Sequence, residues 1–189
     1  GFGRTGSKMF GIEHWGVEPE IMTMAKGIAN GMPLSATITT DEIAASFTAL
    51  TISTYGGNPM SSVSALATIG VIEEENLADN SEAMGAIMRE GLLEMQRAHP
   101  QLIGEVRGKG LMIGVEFVKN EEAGDRTPNA AAVVQFFEET KKRGLLIGKG
   151  GLYGNVLRIS PPLTVDESAV QEALRIMSES FDAMENGNG

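Results

Sequence analysis

"TMAKGIANGMPLSA", residues 23–36, carries one charged side chain, Lys26, between an apolar run and a Gly-Ile-Ala-Asn-Gly turn. On either side of that turn "PEIMTMAK" and "MPLSATITT" read as short buried strands, bounded by Pro19 and Pro33. Lys26 then stands at a strand end. Apolar surroundings there can strip water from its ammonium, lower its proton affinity and free the amine as a nucleophile toward carbonyls. A strand-end lysine whose head snorkels to water is the plainer reading of the same position.

Working outward, Thr40, Asp41 and Glu42 are cap and first-turn residue types, which predicts a short helix from about Asp41 to Phe47. After the glycine turn in "STYGGNPM", Pro59 sits at a first helical position, and helical periodicity runs on to Ala98 with an interruption at Asn76. Beyond Pro100, "IGEVRG" and "LMIGVEFV" read as strands. A helix follows from Asn129 to Arg143, basic in its last turn and stopped by Gly144. "GLLIG" and "NVLRIS" read as further strands. The last helix begins in "TVDESAV", where Thr164 and Glu167 have capping-box spacing, and runs to about Met184 before the polar "ENGNG". The pattern is that of an α/β chain with a domain boundary near Glu75, dividing residues 1–75 from 76–189.

The chain's 189 residues, 42% of them hydrophobic, can bury roughly 70% of the unfolded surface, enough for a sizeable core. With 25 acidic against 15 basic residues the formal charge is −10, which repels phosphate backbones and anionic membranes, so neither nucleic acid nor a membrane is an expected partner. There is no cysteine, hence no disulfide framework or thiolate zinc site. His14 and His99 are too far apart in sequence to suggest a metal site, and none is expected. No apolar run approaches the ~20 residues of a spanning helix. The compartment read from the chain is cytoplasmic, with a mitochondrial one left open.

Two glycine-rich motifs are set aside. "GFGRTG", residues 1–6, fits G-x-G-x-x-G, but the dinucleotide fingerprint needs a preceding strand and a following helix, and neither is visible. "GLLIGKGG" lacks a glycine four residues before Gly148 and has Gly150 where a phosphate loop needs Ser or Thr.

The longer string "TGSKMFGIEHWGVEPEIMTMAKGIANGMPLSATIT" resembles the segment of class III aminotransferases that carries the pyridoxal phosphate lysine. Further matches follow in the family's order: "STYGGNPMSSVSAL", "EVRGKGLMIGVEF" and "GLLIGKGGLYGNVLRISPPLTV". The wording is most similar to the alanine–glyoxylate and 4-aminobutyrate aminotransferase branches. The resemblance implies a fold type I chain, made of the end of the large cofactor domain and a small α+β C-terminal domain. It implies transfer of an amino group from an amino acid to a 2-oxo acid. Lys26 would form the Schiff base with pyridoxal 5'-phosphate and shuttle the proton. Thr54, helped by Ser53, would bind the cofactor phosphate of the partner subunit in a homodimer with a shared site. Arg158 would take the substrate carboxylate through its planar fork. Its alternation with Val156, Leu157 and Ile159 equally suits a strand arginine in an ion pair. His14 reads as a packed or surface histidine, and Arg4, Trp15, Met32 and Tyr55 lie near these blocks without an assigned role.

Members of the class are considerably longer. Their aspartate for the pyridinium nitrogen, their ring-stacking aromatic and their same-subunit phosphate loop lie upstream of the "GFGRTG" counterpart. The isolated chain is therefore expected to self-associate, to hold no cofactor and not to turn over. The alternative is a non-catalytic dimerising or interaction module.

Overall fold

The computed structural model describes residues 1–186. Two strands, β1 (Ile21–Met24) and β2 (Ala36–Thr39), pair antiparallel as a ribbon, with Ile21 opposite Thr39 and Met24 opposite Ala36. Between them lies a 3-10 turn, Lys26–Ala29. After them comes α1 (Asp41–Ser46), where the Thr40 hydroxyl accepts from the Ile43 amide. Helix α2 (Pro59–Glu74) starts as anticipated with Pro59 in its first turn, and the Asn58 side chain accepts from the Ser61 amide at 3.0 Å. Ile28 and Ala29 are buried against Ala65 of α2, flanked by Phe2, Met24, Leu34 and Ala36. No residue of the ribbon itself is buried, contrary to the expectation of buried strands, because only this small cluster packs against it.

Asn76, with φ of 51°, breaks the chain between α2 and α3 (Leu77–Ala98). The second core is a five-stranded antiparallel sheet of β3 (Ile103–Lys109), β4 (Met112–Asn120), β5 (Asp125–Pro128), β6 (Gly148–Gly150) and β7 (Val156–Ile159). Its order is β3-β4-β7-β6, with β5 also on β4. Helices α3 and α4 (Ala130–Lys142) pack on this sheet, and α5 (Glu167–Asn186) packs against both of them and reaches the sheet through Phe181 on Phe117. Alternate residues of the central strands, Ile113, Val115 and Phe117 with Leu157 and Ile159, meet Leu92 and Phe136 in one apolar cluster. Phe136 and Phe181 lie 4.3 Å apart between ring centroids, and His99 stacks on Phe181 at 4.9 Å while hydrogen-bonding Glu185.

The two cores meet where the β3–β4 turn is pressed from both sides. Gly110, at φ of 50°, lies so near Arg4 and Gly6 that any Cβ on it would overlap their backbone. A Cβ on Gly85 of α3 would in turn drive into the Gly110 carbonyl. Leu111 N donates to Arg4 O at 2.9 Å and Ser7 N to Ala78 O at 3.0 Å, completing the joint.

Other sequence expectations need correction. "GLLIG" is not a strand: Leu145 N closes back on Thr140 O at 2.9 Å, so the residues after Gly144 belong to the exit of α4, and only Gly148–Gly150 join the ladder. The final helix is capped by Asp166, whose carboxylate accepts from the Ala169 amide at 2.8 Å. Thr164 lies too early for that role. β5 and the 3-10 turn Gly11–Trp15 carry no strong pattern and were not anticipated.

Candidate active site

Lys26 is placed by its own backbone. Ala25 is extended, at φ −160° and ψ −163°, and Lys26 then turns to φ 57°. Asn30 at φ 44° and Gly31 at φ 109° end the turn. Left-handed backbone costs a residue with a Cβ about 1–2 kcal/mol, and such strain gathers at functional sites. The turn is held from below: Ile28 and Ala29 are buried, and the Ser64 hydroxyl donates to Ala29 O at 2.8 Å. Lys26 itself is exposed, so the water-stripped setting expected from the sequence is not found within this chain. Its surroundings are open: a Cβ on Gly27 or Gly31 would meet nothing within 4 Å.

Among the described residues, Lys26 has no ion pair, hydrogen bond or aromatic ring at its ammonium. Other lysines do: Lys109 lies 5.5 Å from the Trp15 ring centroid, Lys149 lies 4.8 Å from that of Phe137, and Lys142 pairs with Glu139 at 2.6 Å. Lys8 and Lys119 share that lack of a partner, so what sets Lys26 apart is its left-handed backbone beside the open glycine turn.

Ser53 and Thr54 lie in the exposed turn that leads into α2. Gly56 N donates to Ser53 O at 3.1 Å, and the Ser53 side chain fills the space a Cβ on Gly56 would need. Asn58 Nδ2 donates to Tyr55 O at 3.1 Å, so the cap of α2 also fixes this turn. Hydroxyls and backbone amides presented together suit a phosphate dianion.

Arg158 sits on β7, exposed, on the sheet face away from the helices. The register sets its neighbours. Gly114 of β4 pairs with it on one side and Gly148 of β6 on the other, with Arg107 of β3 beyond Gly114. Its two lateral neighbours therefore carry no side chains. Arg107 is engaged, bonding Glu105 at 2.7 Å and Glu116 at 2.6 Å. Arg158 has no ion-pair partner among the described residues, so the structural reading of it as half of a strand ion pair finds no partner here. A free guanidinium between two glycines leaves room for a planar carboxylate to approach bidentately.

Arg4, unassigned from sequence, proves to be a bridging residue. Its Nη1 donates to Pro161 O at 2.6 Å and to Leu111 O at 3.3 Å. Burial first, and the neighbouring charge of Arg158 second, hold its proton affinity below the ordinary arginine value; it remains a cation. Arg4, Gly27, Asn30, Ser64, Thr68 and Thr164 are on the wall of a cleft of about 550 Å³. Lys26, Ser53, Thr54 and Arg158 are not on that wall. That cleft therefore does not gather the four predicted site residues, while Arg4 lines it near Gly27 and feels the charge of Arg158. His14 contacts Thr5 at 3.2 Å, as a packed histidine does. Among the described residues no cluster could hold a metal, and no helix is long and apolar enough to cross a membrane.

A family model described as aminotransferase class-III matches residues 1–181. The chain is 42% identical over 185 residues to alanine–glyoxylate aminotransferase 2 homolog 2, mitochondrial, of Arabidopsis thaliana, covering 97% of this chain and 38% of that protein. It is also 42% identical over 188 residues to a leucine/methionine racemase of Thermococcus litoralis, covering 99% of this chain and 41% of that one. An aminotransferase from Bacillus anthracis superposes with a TM-score of 0.88 at 36% identity, over 96% of this chain and 42% of that structure. The chain therefore spans well under half the length of the relatives it matches.

Proposed function

The chain belongs to the class III aminotransferases, a pyridoxal phosphate-dependent group of fold type I, and from that premise we propose that it carries the lysine and the substrate arginine of an enzyme moving amino groups from an amino acid to a 2-oxo acid. The observation that carries the reading is Lys26: a strained, exposed lysine with an unpaired amine on a turn whose glycines leave open space beside it.

The donor set fits the cofactor. An unpaired amine beside empty space suits covalent attachment, and the Ser53–Thr54 turn offers exposed hydroxyls for a phosphate. When bound, pyridoxal phosphate supplies an electron sink for the charge left on the substrate carbon. Lys26 Nζ would hold it and, once released, take the proton from the substrate Cα as general base, a proton that amino transfer does not give back to Cα. Arg158 would bind the substrate carboxylate through two parallel N–H bonds and so fix which face of Cα meets Lys26. Thr54 and Ser53 do not share the cleft beside Gly27, which suits a role toward the cofactor of a partner subunit in a homodimer. The division near Glu75 is part of the same proposal, supported by the separate apolar clusters on either side of Asn76. So is the compartment, cytoplasmic with mitochondrial as the second option.

The similarity to a racemase raises a second reaction at the same lysine, inversion of Cα without amino transfer. Incubating a full-length enzyme that carries this segment with L-alanine and 2-oxoglutarate separates them. Amino transfer yields pyruvate and glutamate together; inversion yields D-alanine with neither. Borohydride reduction should fix the cofactor on the peptide carrying Lys26, and Lys26→Ala should abolish both labelling and turnover. A label that persists in Lys26→Ala on Lys8, Lys109 or Lys149 would reject the assignment.

A further inference from the structure

Arg158 makes no side-chain bond among the described residues, so its position comes from the backbone of β7 alone. The chain leaves β7 through Ser160-Pro161-Pro162-Leu163-Thr164-Val165, which runs outside any ladder or helix. The two prolines have no N–H to donate, and carbonyls are the main handles by which such a segment can be held. Those carbonyls are taken by two long-range donors. Arg4 Nη1 bonds Pro161 O at 2.6 Å, and Asn80 Nδ2 of α3 bonds Leu163 O at 2.7 Å and Val165 O at 3.0 Å.

Arg4 also closes a reciprocal pair with Leu111, donating to its carbonyl at 3.3 Å and accepting from its amide at 2.9 Å. Leu111 directly precedes β4, the strand that pairs Ile113 with Ile159 of β7. One guanidinium therefore ties the start of β4 to the exit of β7. From that geometry we propose that Arg4 and Asn80 are positioning residues, which set Arg158 for a substrate carboxylate by pinning Pro161, Leu163 and Val165 from two sides. The proposal rests on the reading of Arg158 as the carboxylate ligand.

Charge sharpens the device. Arg4 occupies the Pro161 carbonyl, an acceptor the nearby Arg158 could otherwise fold back onto. As a neighbouring cation it also repels Arg158 toward the open face of the sheet. A neutral residue at position 4 would give up both effects, whereas a lysine keeps the charge and one donor and should recover part of each.

The test has two arms. In the full chain, Arg4→Met should speed amide exchange of residues 157–159 and 163–165 about fivefold or more, leaving α4 unchanged, whereas Arg158→Met should not. Asn80→Ala should loosen the same segment and keeps the test decisive if Arg4→Met is recovered unfolded. In a full-length enzyme carrying this segment, Arg4→Met should raise KM for L-alanine and 2-oxoglutarate about tenfold with little change in kcat, and Arg4→Lys should restore much of it. Unchanged exchange in both Arg4→Met and Asn80→Ala overturns the clamp whatever Arg158 does. Loosened exchange with KM unchanged in Arg158→Met removes the carboxylate reading, and with it the clamp's purpose in binding.

Discussion

Lys26 occupies a left-handed backbone position that asparagine tolerates far better than lysine. Lys26→Asn should therefore raise stability by about 0.5–1 kcal/mol, seen as a higher urea midpoint, while removing the amine to which turnover is assigned in the proposed function. A lower midpoint would mean that the turn is not strained by its lysine. Arg158→Ala should act in the opposite sense. Its side chain is exposed and has no partner among the described residues, so stability should hardly move. In a full-length enzyme, kcat/KM for carboxylate donors should fall by about 2–4 kcal/mol, roughly thirty- to a thousandfold, at constant cofactor content. Kinetics unchanged by that substitution would leave Arg158 without a substrate role. At this scale residue types were legible in the sequence but not their settings. Lys26 stood out by its place before a glycine turn, yet its backbone angle depends on Ile28 and Ala29 being anchored under α2. The glycines flanking Arg158 come from the register of β4, β6 and β7, and Arg4 finds its acceptors only after the chain has folded back on itself. No local pattern encodes such pairings.

Among the elements, helices announced themselves best, because their ends are written in short-range chemistry. Asn58 before Pro59 and Asn129 before α4 both cap as their types suggest, with Asn129 accepting from the Ala132 amide at 3.1 Å. Asn58→Ala should cost about 1 kcal/mol and also free the Ser53–Thr54 turn, which thermal melting and loop proteolysis would register together. Near the end of α4, hydrogen bonds from Lys142 first and Arg143 second hold the Glu139 carboxyl below its ordinary value. The sign follows: its stabilising contribution is complete above the unfolded-state value and is lost as pH falls through the lower folded one. Carboxyl NMR titration should find Glu139 titrating low, and Lys142→Ala should bring it up. Gly85→Ala should be destabilising although alanine is the better helix former by about 1 kcal/mol. Its Cβ would enter the Gly110 carbonyl, and overpacking there should outweigh the propensity gain, for a net loss on the order of 1–2 kcal/mol by chemical denaturation. Strands were less legible. "GLLIG" has strand composition, but its first residues are claimed by the exit of α4, and β5 is a polar segment recruited only by the edge of β4.

Across the whole molecule, the second core has helices on its sheet, whereas the first leaves much apolar surface in water. Leu50, Ile52 and Tyr55 in the loop, with Met60, Val63 and Leu66 along α2, are largely exposed. A chain with that much apolar surface in water should bury it against a second copy, so sedimentation should find association that grows with concentration. Ile52→Glu with Leu66→Glu should return the chain toward a monomer; a wild-type monomer at high concentration would contradict this. The family's general architecture was legible because several ordered blocks span the chain, while the joint between the cores was not, since it is built from backbone contacts around Gly6, Gly85 and Gly110. That joint also has a consequence for spectroscopy. The chain has a single tryptophan, and Trp15 lies beside the joint with its ring facing the ammonium of Lys109, so all indole emission originates at one known place. Fluorescence during denaturation reads the joint, while far-ultraviolet dichroism reads mainly α2, α3, α4 and α5. If emission changes before ellipticity, the cores separate before the helices melt; coincident curves mean that the β3–β4 turn and both cores unfold as one cooperative unit.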